Sequence, residues 1–223
     1  MKIYHGSENV IEKPIFGAGK PYNDYGLGFY CTEDVALASE WAVDSGRDGF
    51  VNCYNIKFDG LHIIDLNSGE YTILHWLCIL INNRRFDLDT PLLKEAFHFL
   101  NENYYVDTKD ADVIKGYRAD DSYFAFAQDF LGGQISLSQL SVALKLGKLG
   151  EQIMIKSERA FDRLEFIESI PVRAEEWYAK KKTRDDKARL EYRKMNRRDY
   201  VPGELYMTRI LDEGVKPDDP RLQ

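Results

Sequence analysis

Cysteine and histidine are scarce in this chain, and long apolar runs are missing from it. The three cysteines, Cys31, Cys53 and Cys78, are an odd number with no CxxC spacing, which argues against a disulfide framework and fits a reducing cytosol. The four histidines, His5, His62, His75 and His98, are scattered. His75 and Cys78 can share a helix face, but two ligands do not make a zinc site, so no metal is expected. The longest apolar run, Ile73 to Ile81, is interrupted by His75 and falls short of the roughly 20 residues a bilayer requires. Met1-Lys2-Ile3-Tyr4-His5 is followed by no apolar signal region, so the expectation is a soluble, cytoplasmic protein with no membrane contact. Internal repeats and low-complexity segments are absent too.

What remains is a chain of 223 residues, 44% hydrophobic and 13% aromatic, enough to bury a substantial core. Its formal charge of −7 argues against a general polyanion-binding surface. That charge is unevenly spread: residues 180–198 hold ten Lys and Arg against three acids, a local +7 that leaves −14 on the remainder. Residues 174–198 contain no Gly or Pro and predict a long helix with a solvated charged face, a nucleic-acid or partner contact being the alternative.

Local patterns predict the other elements. Residues 2–5 alternate as a short strand ending at Gly6, with His5 on the inward face beside Ile3. Residues 8–28 are so rich in Gly, Pro, Asn and Asp that they read as one long irregular loop, of the kind that folds over a ligand. Thr32 is the expected cap of a helix running to about Gly46, with Leu37, Ala38, Trp41 and Ala42 on one face. Strands are predicted at 50–58 and, past an Asp59-Gly60 hairpin turn, at 61–66. Helices follow at 71–82, apolar nearly all round, and at 91–103. A strand at 112–117 leads to a helix at 123–131 with Asp120 and Asp121 as caps. Ser136 to Gln139 fits a capping box for a helix ending near Gly147. Strands at 151–156 and 164–170 flank a helical turn around Ala160, and a last helix spans 206–213.

One corner stands apart. In Tyr25-Gly26-Leu27-Gly28-Phe29-Tyr30, two glycines run into an aromatic pair at a strand start, a backbone able to turn tightly and lie close to a flat ligand. Taken alone, His5 is a half-buried histidine satisfied by backbone, and Trp41 is core packing.

Taken together, Tyr4-His5-Gly6-Ser7, Gly28-Phe29-Tyr30 and Trp41, eleven residues after Tyr30, resemble the ADP-ribosyltransferase superfamily of the diphtheria-toxin and poly(ADP-ribose) polymerase type. With Ala119-Asp120-Asp121 and the Gln152-led strand added, residues 3–168 are similar to a bacterial family associated with toxin–antitoxin and phage-defence loci. The resemblance implies an α+β fold: an ADP-ribosyltransferase-like split antiparallel β-sheet core with inserted helices. This domain is expected at 1–170 and a basic helical C-terminal extension at 171–223.

The implied activity is mono-ADP-ribosyl transfer from NAD, as co-substrate, to a protein or nucleic-acid acceptor, by a toxin with an antitoxin partner. An NAD glycohydrolase and a catalytically silent NAD- or nucleotide-binding module are the alternatives. In the implied site, His5 bonds a ribose hydroxyl on the adenosine side and the Gly6 backbone meets the nicotinamide amide, with Ser7 beside it. Tyr30 stacks on nicotinamide and Trp41 closes the other face. Gln152 stands where the superfamily often has a glutamate, able to accept from the nicotinamide ribose but without a charge, and Ala38 replaces a serine. Glu151, its neighbour, is expected on the opposite face of the strand.

Overall fold

Strand alternation begins at once: β1 (Lys2–Ser7) buries Ile3 completely and leaves Lys2 in solvent. In the computed structural model, which describes residues 1–119, 121–146, 150–195 and 200–222, two sheets form. β1, β3 (Gly49–Ile56) and β7 (Leu164–Val172) pair antiparallel in the order β1-β3-β7. The second sheet runs β2-β6-β5-β4, from β2 (Phe29–Cys31), β4 (Ile63–Asp65), β5 (Val113–Tyr117) and β6 (Glu151–Ile155). Ile3, Tyr54 and Ile56 of the first sheet share one apolar cluster with Cys31, Val113, Ile153 and Ile155 of the second. Each such buried aliphatic side chain contributes about 1.5–3 kcal/mol.

Eight helices among the described residues complete an α+β fold: α1 (Val35–Ala42), α2 (Ile73–Asn83), α3 (Pro91–Asn103), α4 (Asp121–Leu131), α5 (Leu137–Ala143), α6 (Glu158–Phe161), α7 (Ala174–Lys194) and α8 (Met207–Glu213). The apolar α2 is the centre of the largest cluster. Leu74, Trp76, Leu77, Ile79 and Leu80 are buried there with Leu100 of α3, Phe130 of α4 and Leu140 of α5. Tyr192, Met207 and Ile210 from the C-terminal part join the same cluster. The Ser136 capping box forms as expected, with Ser136 N–H donating to Gln139 Oε1 at 2.8 Å and Gln139 N–H to Ser136 Oγ at 3.2 Å. No helix among the described residues is long and apolar enough to cross a membrane.

Four details depart from the sequence expectations. Asp34, not Thr32, caps α1 by accepting from Ala36 and Leu37 N–H; the Thr32 hydroxyl accepts from Asp34 N–H instead, while its backbone bridges to Tyr4. α1 ends at Ala42, where the chain enters an Asp44–Arg47 turn, rather than at Gly46. The Asp59-Gly60 turn is present, with Leu61 N–H bonded to Phe58 C=O, but it carries the chain from one sheet to the other instead of closing a hairpin. The second sheet is therefore not wholly antiparallel: β4 pairs parallel with β5. Asp120 and Gly147, named as a cap and a helix end, lie outside the described residues.

Asp112 fastens the start of β5. Its buried carboxylate accepts from His62 N–H at 2.6 Å, from Ser157 Oγ–H at 2.5 Å, and from the Arg159 guanidinium. The Arg159 hydrogen bond, aided by those from Ser157 and His62, holds this carboxyl well below the usual aspartate value of 3.8. A depressed folded-state value means that the stabilisation is fully present above the ordinary value and lost as pH falls below it. Asp112→Asn is expected to lose about 2 kcal/mol at neutral pH and to show less further destabilisation on acidification than the wild type. Urea titrations at neutral and acidic pH check both, and an unchanged midpoint at neutral pH would remove Asp112 from the account.

Candidate active site

The two sheets meet at one bridge. Tyr4 N–H donates to Thr32 C=O at 2.8 Å and Thr32 N–H to Tyr4 C=O at 2.9 Å, which lays the middle of β1 beside the end of β2. His5 is thereby placed against Tyr30, with Nδ1 2.7 Å from the Tyr30 carbonyl oxygen. A carbonyl only accepts, so Nδ1 carries the proton and Nε2 is left as an acceptor. Burial, only partly opposed by that backbone hydrogen bond, pushes the imidazole below its ordinary 6.5, which keeps Nε2 unprotonated at neutral pH. The Phe29 ring lies 4.2 Å from the imidazole, centroid to centroid.

Tyr30 closes the glycine corner from within. Its hydroxyl donates to Gly26 C=O at 2.7 Å and accepts from Tyr25 N–H at 3.1 Å. Gly26 sits at φ +85°, a region that only glycine enters at no steric cost. With its hydroxyl engaged in the turn, what Tyr30 offers a ligand is its ring. Burial pushes the phenol's pKa up, so it stays protonated.

Gly6 has a packing role beside any backbone role. A Cβ there would lie 2.6 Å from Ala42 N and 2.9 Å from Trp41 Cβ, and closer still to the Ala38 carbonyl oxygen, so α1 rests directly on β1 at this point. Ser7 donates to Asn9 C=O at 2.6 Å and accepts from Asn52 Nδ2 at 3.0 Å. Asn52, completely buried, also takes Ile11 N–H on its Oδ1 at 2.9 Å, and so pins the start of the 8–28 loop to β1 and β3. Its signal in the sequence was a lone amide on the otherwise apolar face Asn52, Tyr54, Ile56.

Gln152, only 3% exposed, lies on β6 with Gly116 of β5 as its neighbour in register. Its Nε2 donates to Asp24 Oδ2 at 2.8 Å and to Tyr117 C=O at 3.3 Å. Both partners only accept, so the amide nitrogen is assigned to them and Oε1 is the atom left for a ligand. Asp24, 5% exposed, also accepts from Ala119 N–H at 2.8 Å, and Arg84 stands 3.6 Å from its other oxygen. Burial pushes the Asp24 carboxyl above its ordinary 3.8, and the Ala119, Gln152 and Arg84 contacts offset this only in part. Glu151 is exposed, on the opposite face of the strand as expected.

These parts surround one cleft of about 860 Å³, within which His5, Gly6, Ser7, Tyr30, Trp41 and Gln152 all contribute to the lining. That volume is in the range of small-molecule sites, about 300–1,000 Å³. The 8–28 loop forms one wall, with Lys13, Lys20 and Asp24. Trp41 is half-buried; the Arg118 guanidinium lies 5.0 Å over its ring, and its indole N–H is buried with no hydrogen-bond partner among the described residues. Ala38, on α1, is fully buried. Among the described residues, no group of three or more His, Cys, Asp or Glu is placed to hold a metal.

Two contributors were not singled out from the sequence. Asp24 stood among turn formers, and nothing local marks it as buried. The other is α7, whose Lys181, Asp185 and Arg189 line the cleft. Arg184 pairs with Glu40 of α1, Ala188 and Tyr192 are buried, and Tyr192 O–H donates to Asp129 at 2.6 Å. The helix therefore has a packed face as well as a solvated one. Ala188 and Tyr192, four apart amid charge, were the available signal.

No curated protein and no solved structure matches the chain. A family model does, from residue 1 to residue 166, and this span includes His5, Asp24, Tyr30, Trp41 and Gln152 but stops short of α7. By that match the chain belongs to the family described as "Protein of unknown function (DUF3990)".

Proposed function

We propose that this protein is an NAD-dependent mono-ADP-ribosyltransferase with an ADP-ribosyltransferase-like core, the toxin of a toxin–antitoxin or phage-defence pair. The observation that supports the reading is convergence: residues chosen by motif at positions 5, 30, 41 and 152 line a single cleft. Two sheets that part just beyond the Tyr4–Thr32 bridge are in keeping with a split-sheet core of that type.

NAD would lie with a ribose hydroxyl donating to the Nε2 of His5 and the nicotinamide against the Tyr30 ring, near the Trp41 N–H. Lys13, Lys20, Lys181 and Arg189 on the cleft walls suit the pyrophosphate. In the reaction, the bond between ribose C1′ and the nicotinamide nitrogen breaks and its electron pair leaves with neutral nicotinamide. The acceptor's nucleophilic atom bonds to C1′ and gives up its proton to solvent. Gln152 Oε1 accepts from the nicotinamide-ribose hydroxyl while C1′ gains oxocarbenium character.

Incubation with NAD labelled in its adenylate half and total cell lysate tests this. Nicotinamide release with label on a macromolecule is expected, and its sensitivity to protease or nuclease names the acceptor class. Free ADP-ribose with no adduct would make the protein a glycohydrolase. Binding of NAD with no nicotinamide release under any condition would leave only a binding module.

A further inference from the structure

Gln152 presents the reaction with an uncharged acceptor where positive charge develops, yet a carboxylate lies directly behind it. We propose that Asp24 is a positioning residue that supplies, through Gln152, the negative charge that the Gln152 amide itself lacks; this rests on the transferase reading. Asp24 Oδ2 and the Tyr117 carbonyl take the two amide hydrogens of Gln152, at 2.8 and 3.3 Å. The amide cannot flip without setting its oxygen against two acceptors, so Oε1 is held outward. An amide that donates to an anion is polarised, and its oxygen becomes a stronger acceptor.

Hydrogen bonding alone does not call for a carboxylate here. Asparagine could take Ala119 N–H and Gln152 Nε2–H on its one amide oxygen, without the cost of a buried charge. What a carboxylate adds is the charge itself, 5% exposed and fixed on rigid partners. Against the burial that raises its pKa, the Ala119 and Gln152 hydrogen bonds and Arg84, 3.6 Å away, favour its ionised form. Asp24 also ties the 8–28 loop to the segment just after β5 and to β6, through Ala119 and Gln152, so the loop wall and the acceptor are set in place together. The Tyr117 carbonyl collects Tyr25 O–H and Trp76 Nε1–H as well, which holds that end of β5 still.

Relocating the charge provides the test, with nicotinamide release measured on the full chain and melting temperature recorded for each variant. Asp24→Asn keeps the orientation of Gln152 and removes the charge, so kcat is expected to fall roughly 30-fold with KM for NAD within about threefold, as for a charge that acts on the transition state. Gln152→Glu alone is also expected to lose activity, because two carboxylates in hydrogen-bond contact repel or share a proton. The double variant Asp24→Asn/Gln152→Glu lets the new amide donate to the new carboxylate, leaving only the Tyr117 carbonyl opposed to it, and is expected to recover a clear part of the rate that either single variant loses. A merely structural Asp24 predicts no such recovery. Unchanged kcat in Asp24→Asn, or a gain from Gln152→Glu alone, would overturn the inference and leave the transferase reading standing. If Asp24→Asn fails to fold, Gln152→Glu alone still decides, since a loss there is the expected result and a gain overturns the inference. A wild-type protein that releases no nicotinamide overturns both.

Discussion

His5→Ala should remain folded and lose about 100-fold or more of its nicotinamide release, the scale of a lost positioning contact. The stability effect is small because the half-buried ring makes one hydrogen bond, to the Tyr30 carbonyl, worth about 1 kcal/mol, and its contact with Phe29. The activity effect is large because Nε2 is the acceptor the cleft offers at the end of β1. The same geometry determines the pH dependence. Burial lowers the imidazole's pKa, so the acceptor survives as pH falls from neutrality to the ordinary histidine value of 6.5, and activity should decline only below it. His5→Ala removes that group's share of the acid limb. Steady-state nicotinamide release across pH, with circular dichroism as the folding control, decides. Retained turnover in both His5→Ala and Tyr30→Ala would sink the assignment of this cleft.

Much of this geometry could be read from the residues, and the limits have physical causes. Pro91–Asn103 matched its predicted bounds, since Thr90, Pro91 and an apolar period all signal one helix. His5, Tyr30 and Gln152, picked out by the resemblance of their motifs, do line one cleft. Asp24 was invisible to that reading. In a stretch of Asn, Gly and Pro an aspartate reads as a turn former, and only the folding of that loop across 128 positions onto Gln152 makes it a buried charge. Sheet membership was equally hidden: the Asp59-Gly60 turn is locally a hairpin signal, and the parallel β4–β5 pairing is set by contacts fifty residues away. The basic helix was legible as a helix, but its packed face was not, because Ala188 and Tyr192 are too few to outweigh the surrounding charge in any local window.

Gly6→Ala is the substitution with the largest expected cost to stability, and it separates two explanations for this glycine. One is functional: the backbone must lie bare for nicotinamide. The other is architectural: α1 crosses β1 so closely that a methyl group at Gly6 would meet the Ala38 carbonyl, Ala42 N at 2.6 Å and Trp41 Cβ at 2.9 Å. Two of these three obstacles are backbone and the third is the first carbon of a side chain, so no rotamer change relieves them and the helix itself must move. Overpacking of this kind costs about 3 kcal/mol or more, roughly 6–12 °C in melting temperature for a chain of this size. Trp41 rides on the displaced helix, so nicotinamide release should fall along with stability. Loss of activity in Gly6→Ala is therefore no proof of a backbone contact with the ligand. An unchanged melting temperature with activity lost would point to the functional explanation alone and contradict the close β1–α1 packing.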